Sequence, residues 1–372
     1  ELRLYNPFRN RAGIRRLFEM VQRIFSVNHR MHNKAWIADG RVAVVGGRNI
    51  GEEYFSAGAH VNFRDLDLLL FGPAVEQAGT IFDAYWNSTA AVPIAALSEA
   101  SLEELQRNIS RFDAEASAEA ARPYLERVAR SKTVQDYHVQ GLEPRWTDRV
   151  RVVADPPLKW RSDDRAGWLV GELAATLATA RSEALLISPY FVPGEAGSAA
   201  LAYLVAQGAE VSLTTNSLAA NDVPAVHAGY ARHRERLLRA GVRLFETKAR
   251  VQVDSAGVFG SSGASLHTKA FVVDGVRGFV GSFNLDPRSA DLNTEMGVLF
   301  DDEVLGARVR DEYRALSAGD VSYEVRLDRQ GRLRWLDRSA SPPLELAEEP
   351  DTTWARRQLV RVIGWLPIES QL

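Results

Sequence analysis

Two patterns of hydrophobic and polar positions alternate along the second half of the chain. The stretches 167–182, 197–208 and 223–241 carry apolar residues at helical spacing, and the last two end at glycines. Between and after them, EALLISPYF, AEVSLTTN and VRLFETK are short apolar runs typical of buried strands. Alternating strands and helices predict an α/β fold with a largely parallel sheet, covered by helices on both faces.

The chain also repeats itself over a short distance. HRMHNKAWIADGRVAVVGGRNI begins at position 29, and SLHTKAFVVDGVRGFVGSFNL begins at position 265. In each copy Asp-Gly separates two apolar runs, which predicts a β-hairpin with a tight turn. When His32 is aligned with His267, the matched pairs are Lys34 and Lys269, Asp39 and Asp274, Gly46 and Gly281, and Asn49 and Asn284.

The duplication predicts two pseudo-symmetric lobes. ELRLYNPF at the start resembles GVRLFETK, the last strand run before the second hairpin. The first copy therefore lacks a counterpart of residues 167–242, and we expect this sequence to be an N-terminally truncated form of a longer protein. Its predicted parts are a first lobe (1–97), a helical connector or lid (98–147), a second lobe (148–320) and a C-terminal extension (321–372).

Composition narrows the possible functions. The net charge of −3 and the pI near 6.2 argue against a general nucleic-acid-binding protein, which usually has a basic surplus. Because there are no cysteines, disulfides and thiolate metal sites are excluded. No stretch approaches the roughly 18 to 20 apolar residues of a membrane-spanning helix.

The repeated His-x-Lys suits a phosphodiester substrate. Side chains two positions apart in an extended segment share a face, so each copy presents an imidazole and an ammonium together. Two copies give one nucleophilic imidazole and one that protonates the leaving alcohol. The ammoniums and the amides of Asn49 and Asn284 can stabilise the phosphate oxygens, so no metal or other cofactor is expected.

A catalytic histidine usually has an orienting partner. Glu295 follows the second hairpin, and Asp65 and Asp67 follow the first at a similar distance. We expect one carboxylate in each half to contact the imidazole of its own half.

The paired H-x-K-x4-D-G with a trailing G-[GS]-x-N resembles the phospholipase D superfamily. The stretches NHRMHNKAWIADGRVAVVGGRNIGEEYF, FRDLDLLLFGP, YFVPGEAG and SFNLDPRSADLNTEMGVLF look like bacterial cardiolipin synthases of the C type. This resemblance implies a two-lobed α/β fold and phosphatidyl transfer to phosphatidylglycerol by a peripheral enzyme of the bacterial inner membrane. It also implies that His32 is the nucleophile, that His267 is the general acid, and that Asp65 is the motif carboxylate. Ser282 is expected to bind the phosphate or to orient the site. One departure is Gly47, which stands at the matching position of the first copy, so this hydroxyl contact exists only in the second half.

Several residues also have a purely structural interpretation. Asp39 and Asp274 belong to the catalytic motif, but a tight turn explains an aspartate before glycine. Tyr190 lies where a strand ends, at the sheet edge that binds ligands in α/β folds, and is a candidate pocket residue. His227 and Tyr230 are either pocket residues or packing residues of a helix.

Alternatives also remain for the C-terminal segment and for the function. Arginines and tryptophans on the helical stretch 354–365 suit either an anionic membrane surface or packing on the second lobe. The alternative functions are a metal-independent nuclease of the same superfamily and an inactive lipid-binding fragment. The acidic pI disfavours the nuclease, so phospholipids at a membrane surface, rather than nucleic acid, are the expected partners. No protein partner is indicated.

Overall fold

The computed structural model describes residues 1–8, 28–55, 62–97, 101–130, 144–161, 164–249 and 264–372. The strands in this part of the chain are β1 Arg3–Tyr5, β2 Ala35–Ala38, β3 Val42–Gly46, β4 Asn62–Arg64, β5 Asp67–Phe71, β6 Ala91–Pro93, β7 Val150–Ala154, β8 Glu183–Ile187, β9 Glu210–Asn216, β10 Arg243–Thr247, β11 Ala264–Leu266, β12 Ala270–Val273, β13 Arg277–Gly281, β14 Met296–Asp301, β15 Ser322–Leu327, β16 Leu333–Asp337 and β17 Leu344–Leu346. The α-helices are α1 Pro73–Trp86, α2 Leu102–Ser117, α3 Arg122–Arg130, α4 Leu169–Leu177, α5 Gly194–Ala206, α6 Pro224–Arg239, α7 Glu303–Leu316 and α8 Trp354–Ile363.

Most of the strands join one mixed sheet, in the order β17-β16-β15-β10-β9-β8-β12-β13-β14-β7. The predicted succession α4, β8, α5, β9, α6, β10 is confirmed, and so is the mixed α/β class. The expectation of a largely parallel sheet is wrong, because only β8, β9 and β10 run parallel to one another. The hairpin strands and β15 to β17 follow one another through short turns, and such connections force antiparallel pairing.

The first hairpin lies in a smaller sheet of its own. Its strands β2 and β3 pair with β5 in an antiparallel sheet of three strands, rather than in the mostly parallel sheet expected for this lobe. β1 pairs antiparallel with β6, as β10 pairs with β15 in the second lobe. The arrangement supports the equivalence between ELRLYNPF and the last strand before the second hairpin.

The two sheets share a core. One face of the large sheet packs under α4, α5 and α6, and part of the other packs on α7. A third apolar cluster joins Val45 and Leu70 of the small sheet, Val75 of α1, and Met296 and Val298 of the large sheet. The second hairpin is therefore buried on both faces, and the first packs against it.

The connector and the C-terminal region differ in how they join this core. Helix α2 begins with a capping box, in which Ser101 and Glu104 each accept from the other's backbone N–H. Residues 98–100 and 131–143 of the connector lie outside the described part. The C-terminal region supplies β15 to β17, so its first part completes the large sheet. Within the described ranges, no helix combines the length and apolarity that crossing a bilayer requires.

Candidate active site

The histidine and lysine of each copy lie just before the first strand of their hairpin. Lys34 Nζ donates to the carbonyl of His32 at 2.6 Å, and Lys269 Nζ donates to the carbonyl of His267 at 2.5 Å. Lys269 Nζ also lies 2.9 Å from Nδ1 of His267. The second copy therefore confirms the prediction that histidine and lysine point the same way.

The orienting carboxylates are exchanged between the lobes. Nδ1 of His32 lies 2.8 Å from Oε2 of Glu295, and Nδ1 of His267 lies 2.6 Å from Oδ2 of Asp65. The expectation that each carboxylate serves its own half is wrong. Asp67, the other candidate in the first lobe, instead accepts from Arg48 Nε at 2.6 Å.

Backbone pairing between the lobes explains the exchange. The segment before His32 pairs with the segment before Glu295, since His32 N donates to the Thr294 carbonyl at 2.9 Å. In the same way β11 pairs parallel with β4, and His267 N donates to the Arg64 carbonyl at 2.9 Å. Each histidine therefore reaches the carboxylate that follows its partner segment, and both lobes are needed to build either His–carboxylate pair.

Glu295 is fixed by several hydrogen bonds. Its side chain is fully buried and accepts from Ser282 Oγ at 2.5 Å and from Ser289 Oγ at 3.0 Å, and its backbone N–H donates to Asp155 at 3.0 Å. Ser282, predicted to bind or orient, thus positions Glu295.

Gly47 occupies the place of Ser282 in the first lobe, and the space there is already taken. A Cβ at Gly47 would lie 2.4 Å from Oδ1 of Asp65. In the first lobe Gly47 therefore lies beside Asp65, where the second lobe has Ser282 beside Glu295. The absence of a side chain at position 47 has a steric cause.

Burial shifts the charges of the site. It lowers the pKa of Lys34 to about 7 and that of Lys269 to about 8, although neighbouring carboxylates oppose the shift. Burial, followed by the charges of Lys269, Lys34 and His32, lowers the pKa of His267 far below its usual range. Its imidazole is therefore neutral near neutral pH.

The two carboxylates respond differently to burial. Burial raises the pKa of Asp65 to about 6 despite the opposing charge of Lys269. For Glu295 the charge of His32 and its hydrogen bonds outweigh burial and lower the pKa, so this carboxylate stays ionised.

One residue at the site was missed by sequence reasoning. Tyr54 accepts from the Asn49 amide at 2.8 Å, and its hydroxyl lies 3.4 Å from Nε2 of His267, the ring nitrogen opposite the Asp65 contact. Its ring meets the His267 ring edge-on, with centroids 4.9 Å apart. Tyr54 has no counterpart in the second copy, where the aligned position is Ser289, so the repeat gave no signal for it.

The asparagines differ in their contacts. Asn49 supports Tyr54, whereas Asn284 is buried and its Oδ1 has no hydrogen-bond partner within the described residues. Because an amide oxygen only accepts, a contact between Asn284 and a phosphate oxygen would have to come from its NH2 group.

The motif aspartates belong to the hairpin turns. Asp39 and Asp274 have φ of 52° and 50°, the left-handed conformation that such a turn requires. Asp274 accepts from the backbone N–H groups of Arg181, Ser182 and Glu183 at 2.8–3.1 Å. At about 3.3 Å per strand residue, it lies on the order of 20 Å from His267. These positions favour the structural interpretation of both aspartates over the catalytic one.

The candidate pocket residues separate into two groups. Tyr190 is half-buried, and its hydroxyl donates to Asp222 at 2.7 Å beyond the end of β8, so it remains a candidate. His227 and Tyr230 are buried in α6, where His227 Nε2 lies 3.2 Å from Glu349 and Tyr230 packs against Phe191. These contacts support the packing interpretation for both.

Comparison with known proteins identifies the family. A family model described as "Cardiolipin synthase, PLD-like domain" matches residues 173–317. Cardiolipin synthase C of Escherichia coli (strain K12) is 39% identical over 374 residues, which cover 99% of this chain and 78% of that protein. The chain belongs to the phospholipase D-like cardiolipin synthase family. It is therefore a phospholipase D-type phosphatidyltransferase.

Two further likenesses extend the comparison. An uncharacterized protein of Helicobacter pylori (strain J99) is 32% identical over 317 residues, 83% of this chain and 62% of that protein. The crystal structure of phosphatidylserine synthase from Haemophilus influenzae Rd KW20 matches with a TM-score of 0.57 at 13% identity, covering 92% of this chain and 71% of that one. The second likeness concerns the fold alone.

Proposed function

We propose that this member of the family makes cardiolipin by transferring a phosphatidyl group from a phospholipid donor to phosphatidylglycerol. The observation that carries the proposal is the pair of histidines, each hydrogen-bonded to a buried carboxylate of the other lobe and each followed by a lysine. Such a site offers a nucleophile, a proton donor and two ammoniums to one phosphodiester.

The reaction proceeds in two displacements at phosphorus. One imidazole Nε2 forms an N–P bond, the bond from phosphorus to the donor's head-group alcohol breaks, and the other imidazole protonates that alcohol. A phosphatidylglycerol hydroxyl then attacks phosphorus, gives its proton to the same second imidazole, and releases the first histidine. When water replaces the acceptor, the product is phosphatidic acid, so phospholipase D hydrolysis accompanies transfer.

We assign the nucleophile to His267 and the proton donor to His32, which reverses the order that the resemblance implied. A nucleophile must be neutral, and burial with the surrounding cations lowers the pKa of His267. Its bond to Asp65 engages Nδ1, so Nε2, which has the Tyr54 hydroxyl 3.4 Å away, is the nitrogen that attacks phosphorus. The ionised Glu295 beside His32 can stabilise the positive charge that a general acid carries.

Because the proposed donor and acceptor are membrane phospholipids, we expect the enzyme to act at the surface of the bacterial inner membrane as a peripheral protein. Of the predicted ligand groups, the amide of Asn284 and the two lysine ammoniums are suited to the phosphate oxygens.

Lipid mass spectrometry tests the proposal. The protein is incubated with phosphatidylglycerol vesicles, with and without phosphatidylethanolamine, beside a His267→Ala control. We expect new cardiolipin that the control does not form, and its dependence on phosphatidylethanolamine identifies the donor. Phosphatidic acid alone would reduce the function to hydrolysis, and metal-independent cleavage of plasmid DNA without lipid turnover would replace it with the nuclease.

A further inference from the structure

The C-terminal helix α8 and the turn after it expose several large apolar side chains to solvent. Positions 355, 359 and 362 of α8 follow one another at helical spacing with position 354 beside them, and positions 365 and 366 lie in the turn after the helix. The exposed fractions are 69% for Trp354, 50% for Leu359, 54% for Val362, 83% for Trp365 and 48% for Leu366. We call these five residues the C-terminal stripe. Water is an unfavourable environment for a continuous set of large apolar side chains.

The stripe is held in place by the opposite side of the helix. Val360 and Ile363 pack on Leu218 and Ala228, and Arg232 of α6 donates to the carbonyls of Gly364 and Leu366. Because these contacts are made by Val360, Ile363 and backbone carbonyls, the exposed side chains of the stripe are left free on a preformed surface.

The charge of α8 indicates what the stripe binds. Its sequence WARRQLVRVI carries three arginines and no acidic residue. Arg361 is exposed, whereas Arg356 donates to the Asn221 carbonyl and Arg357 pairs with Glu348 just before the helix, so Arg361 is the arginine that can meet an anionic surface. Helix α2 also exposes an apolar row (Leu102, Leu105, Ile109 and Phe112), but its sequence LEELQRNISRFDAEAS has four acidic residues and two arginines. An anionic phospholipid surface attracts the first helix and repels the second, and tryptophans with arginines are the side chains that favour the interface of a bilayer.

Both ends of the C-terminal segment contact loops that lead to the active site. At the start of α8, Arg356 donates to the carbonyl of Asn221 at 2.6 Å, one residue before the Asp222 that binds Tyr190. At the other end, the Leu372 carbonyl accepts from Arg288 N at 2.6 Å, one residue before the Ser289 that binds Glu295. The stripe is therefore fixed to two of the loops around the histidines.

The exposed apolar side chains do not end with the stripe. Met31, Ile50, Phe55 and Val223 are also exposed. In the sequence, each is the immediate neighbour of a residue already placed at or near the site: His32, Asn49, Tyr54 or Asp222.

We propose that the C-terminal stripe docks on an anionic phospholipid surface and, through its two contacts with the active-site loops, turns the site toward the lipid head groups. This inference rests on the proposed phospholipid substrate. A docked stripe places lipid phosphodiesters beside the histidines, and the exposed Arg361 favours the anionic lipids that contain the acceptor.

Vesicle binding by matched variants tests the proposal. The first variant, Val362→Ser with Trp365→Ser, removes two stripe residues. The control, Leu344→Ser, removes a leucine on β17 that is 51% exposed, close to the 54% of Val362. We expect the stripe variant to bind vesicles of phosphatidylglycerol and phosphatidylcholine at least about tenfold more weakly than the unchanged protein and the control. Binding to phosphatidylcholine alone should be weaker for all three proteins, and added salt should weaken binding to the mixed vesicles.

Fluorescence of the unchanged protein provides a measurement that needs no variant. Brominated lipids quench tryptophans that enter the bilayer interface, so we expect vesicles containing them to quench emission, and the stripe variant to lose most of this quenching. Equal binding and quenching by all three proteins would overturn the proposal. The proposal would also be overturned if the protein does not bind vesicles and forms a dimer that the stripe substitutions convert to a monomer. That result would assign the stripe to contact with a second copy of this chain.

Activity separates this proposal from the proposed function. The stripe variant should be as active as the control on monomeric short-chain phospholipid and less active on vesicles. Stripe-dependent binding without any lipid turnover would leave the docking surface valid and refute the transferase.

Discussion

The exchange of carboxylates between lobes predicts which variants share a defect. Glu295→Gln removes the charge beside His32, and Asp65→Asn removes the one beside His267. We expect Glu295→Gln to resemble His32→Ala and Asp65→Asn to resemble His267→Ala. Pairing within each lobe would predict the opposite assignment.

The size of the effect follows from the contacts of Glu295. Its carboxylate accepts from His32 at 2.8 Å, from Ser282 at 2.5 Å and from Ser289 at 3.0 Å, with no solvent exposure. The amide NH2 of glutamine cannot accept, so one or more of these donors loses its partner. Losing a hydrogen bond to a charged group costs about 1.5–3 kcal/mol, or roughly 10- to 100-fold in kcat, and the loss reaches about 10⁴-fold where proton transfer itself fails.

A substrate with a p-nitrophenyl leaving group separates the two roles. Nitrophenolate leaves without a proton, so a variant that lacks the general acid still forms the phosphohistidine. In stopped flow we expect His32→Ala and Glu295→Gln to release a burst of nitrophenolate stoichiometric with enzyme, followed by slow turnover. His267→Ala should give no burst, and Asp65→Asn a strongly slowed one.

The outcomes distinguish the two parts of the reasoning. If Glu295→Gln behaves like His267→Ala, the exchange between lobes is refuted. If His267→Ala gives the burst and His32→Ala does not, the nucleophile is His32. The exchange of carboxylates between the lobes would still be supported if Glu295→Gln behaves like His32→Ala. Glu172→Gln on α4, which removes a carboxylate paired with Arg151 at the surface, controls for the loss of one negative charge.

Burial lowers the pKa of Lys34 to about 7 and that of Lys269 to about 8, so kcat/KM should fall as pH rises through these values and the amines lose the charge that binds phosphate. A pH profile that stays flat above both values would contradict this. Gly47→Ala should lower the rate of transfer roughly 10- to 100-fold, because its Cβ would lie 2.4 Å from the orienting carboxylate of that lobe. Gly79→Ala on α1, where nothing lies within 4 Å, should leave activity unchanged and stabilise the fold by about 0.5–1 kcal/mol in thermal unfolding. Asp274→Ala should destabilise the fold by about 1 kcal/mol and leave kcat unchanged, and a large loss of kcat at unchanged stability would restore its catalytic assignment.

Local features of the fold and site were readable from the sequence because they depend on neighbouring residues. The two-residue period of an extended chain places His267 and Lys269 on one side, and Asp-Gly specifies the turn at Asp274 wherever the hairpin lies. Helices α4 to α6 also follow from periodicity.

What the tertiary structure alone decided involves residues far apart in the chain. His32 and Glu295 are separated by 263 positions, and His267 and Asp65 by 202. No spacing rule distinguishes these pairs from pairs within a lobe. The choice is made by backbone hydrogen bonds between the lobes, which bring each histidine beside the other lobe's carboxylate. Burial in that interface lowers the pKa of both lysines and of His267, since desolvation disfavours charge, and it is a property of the packed molecule rather than of any motif.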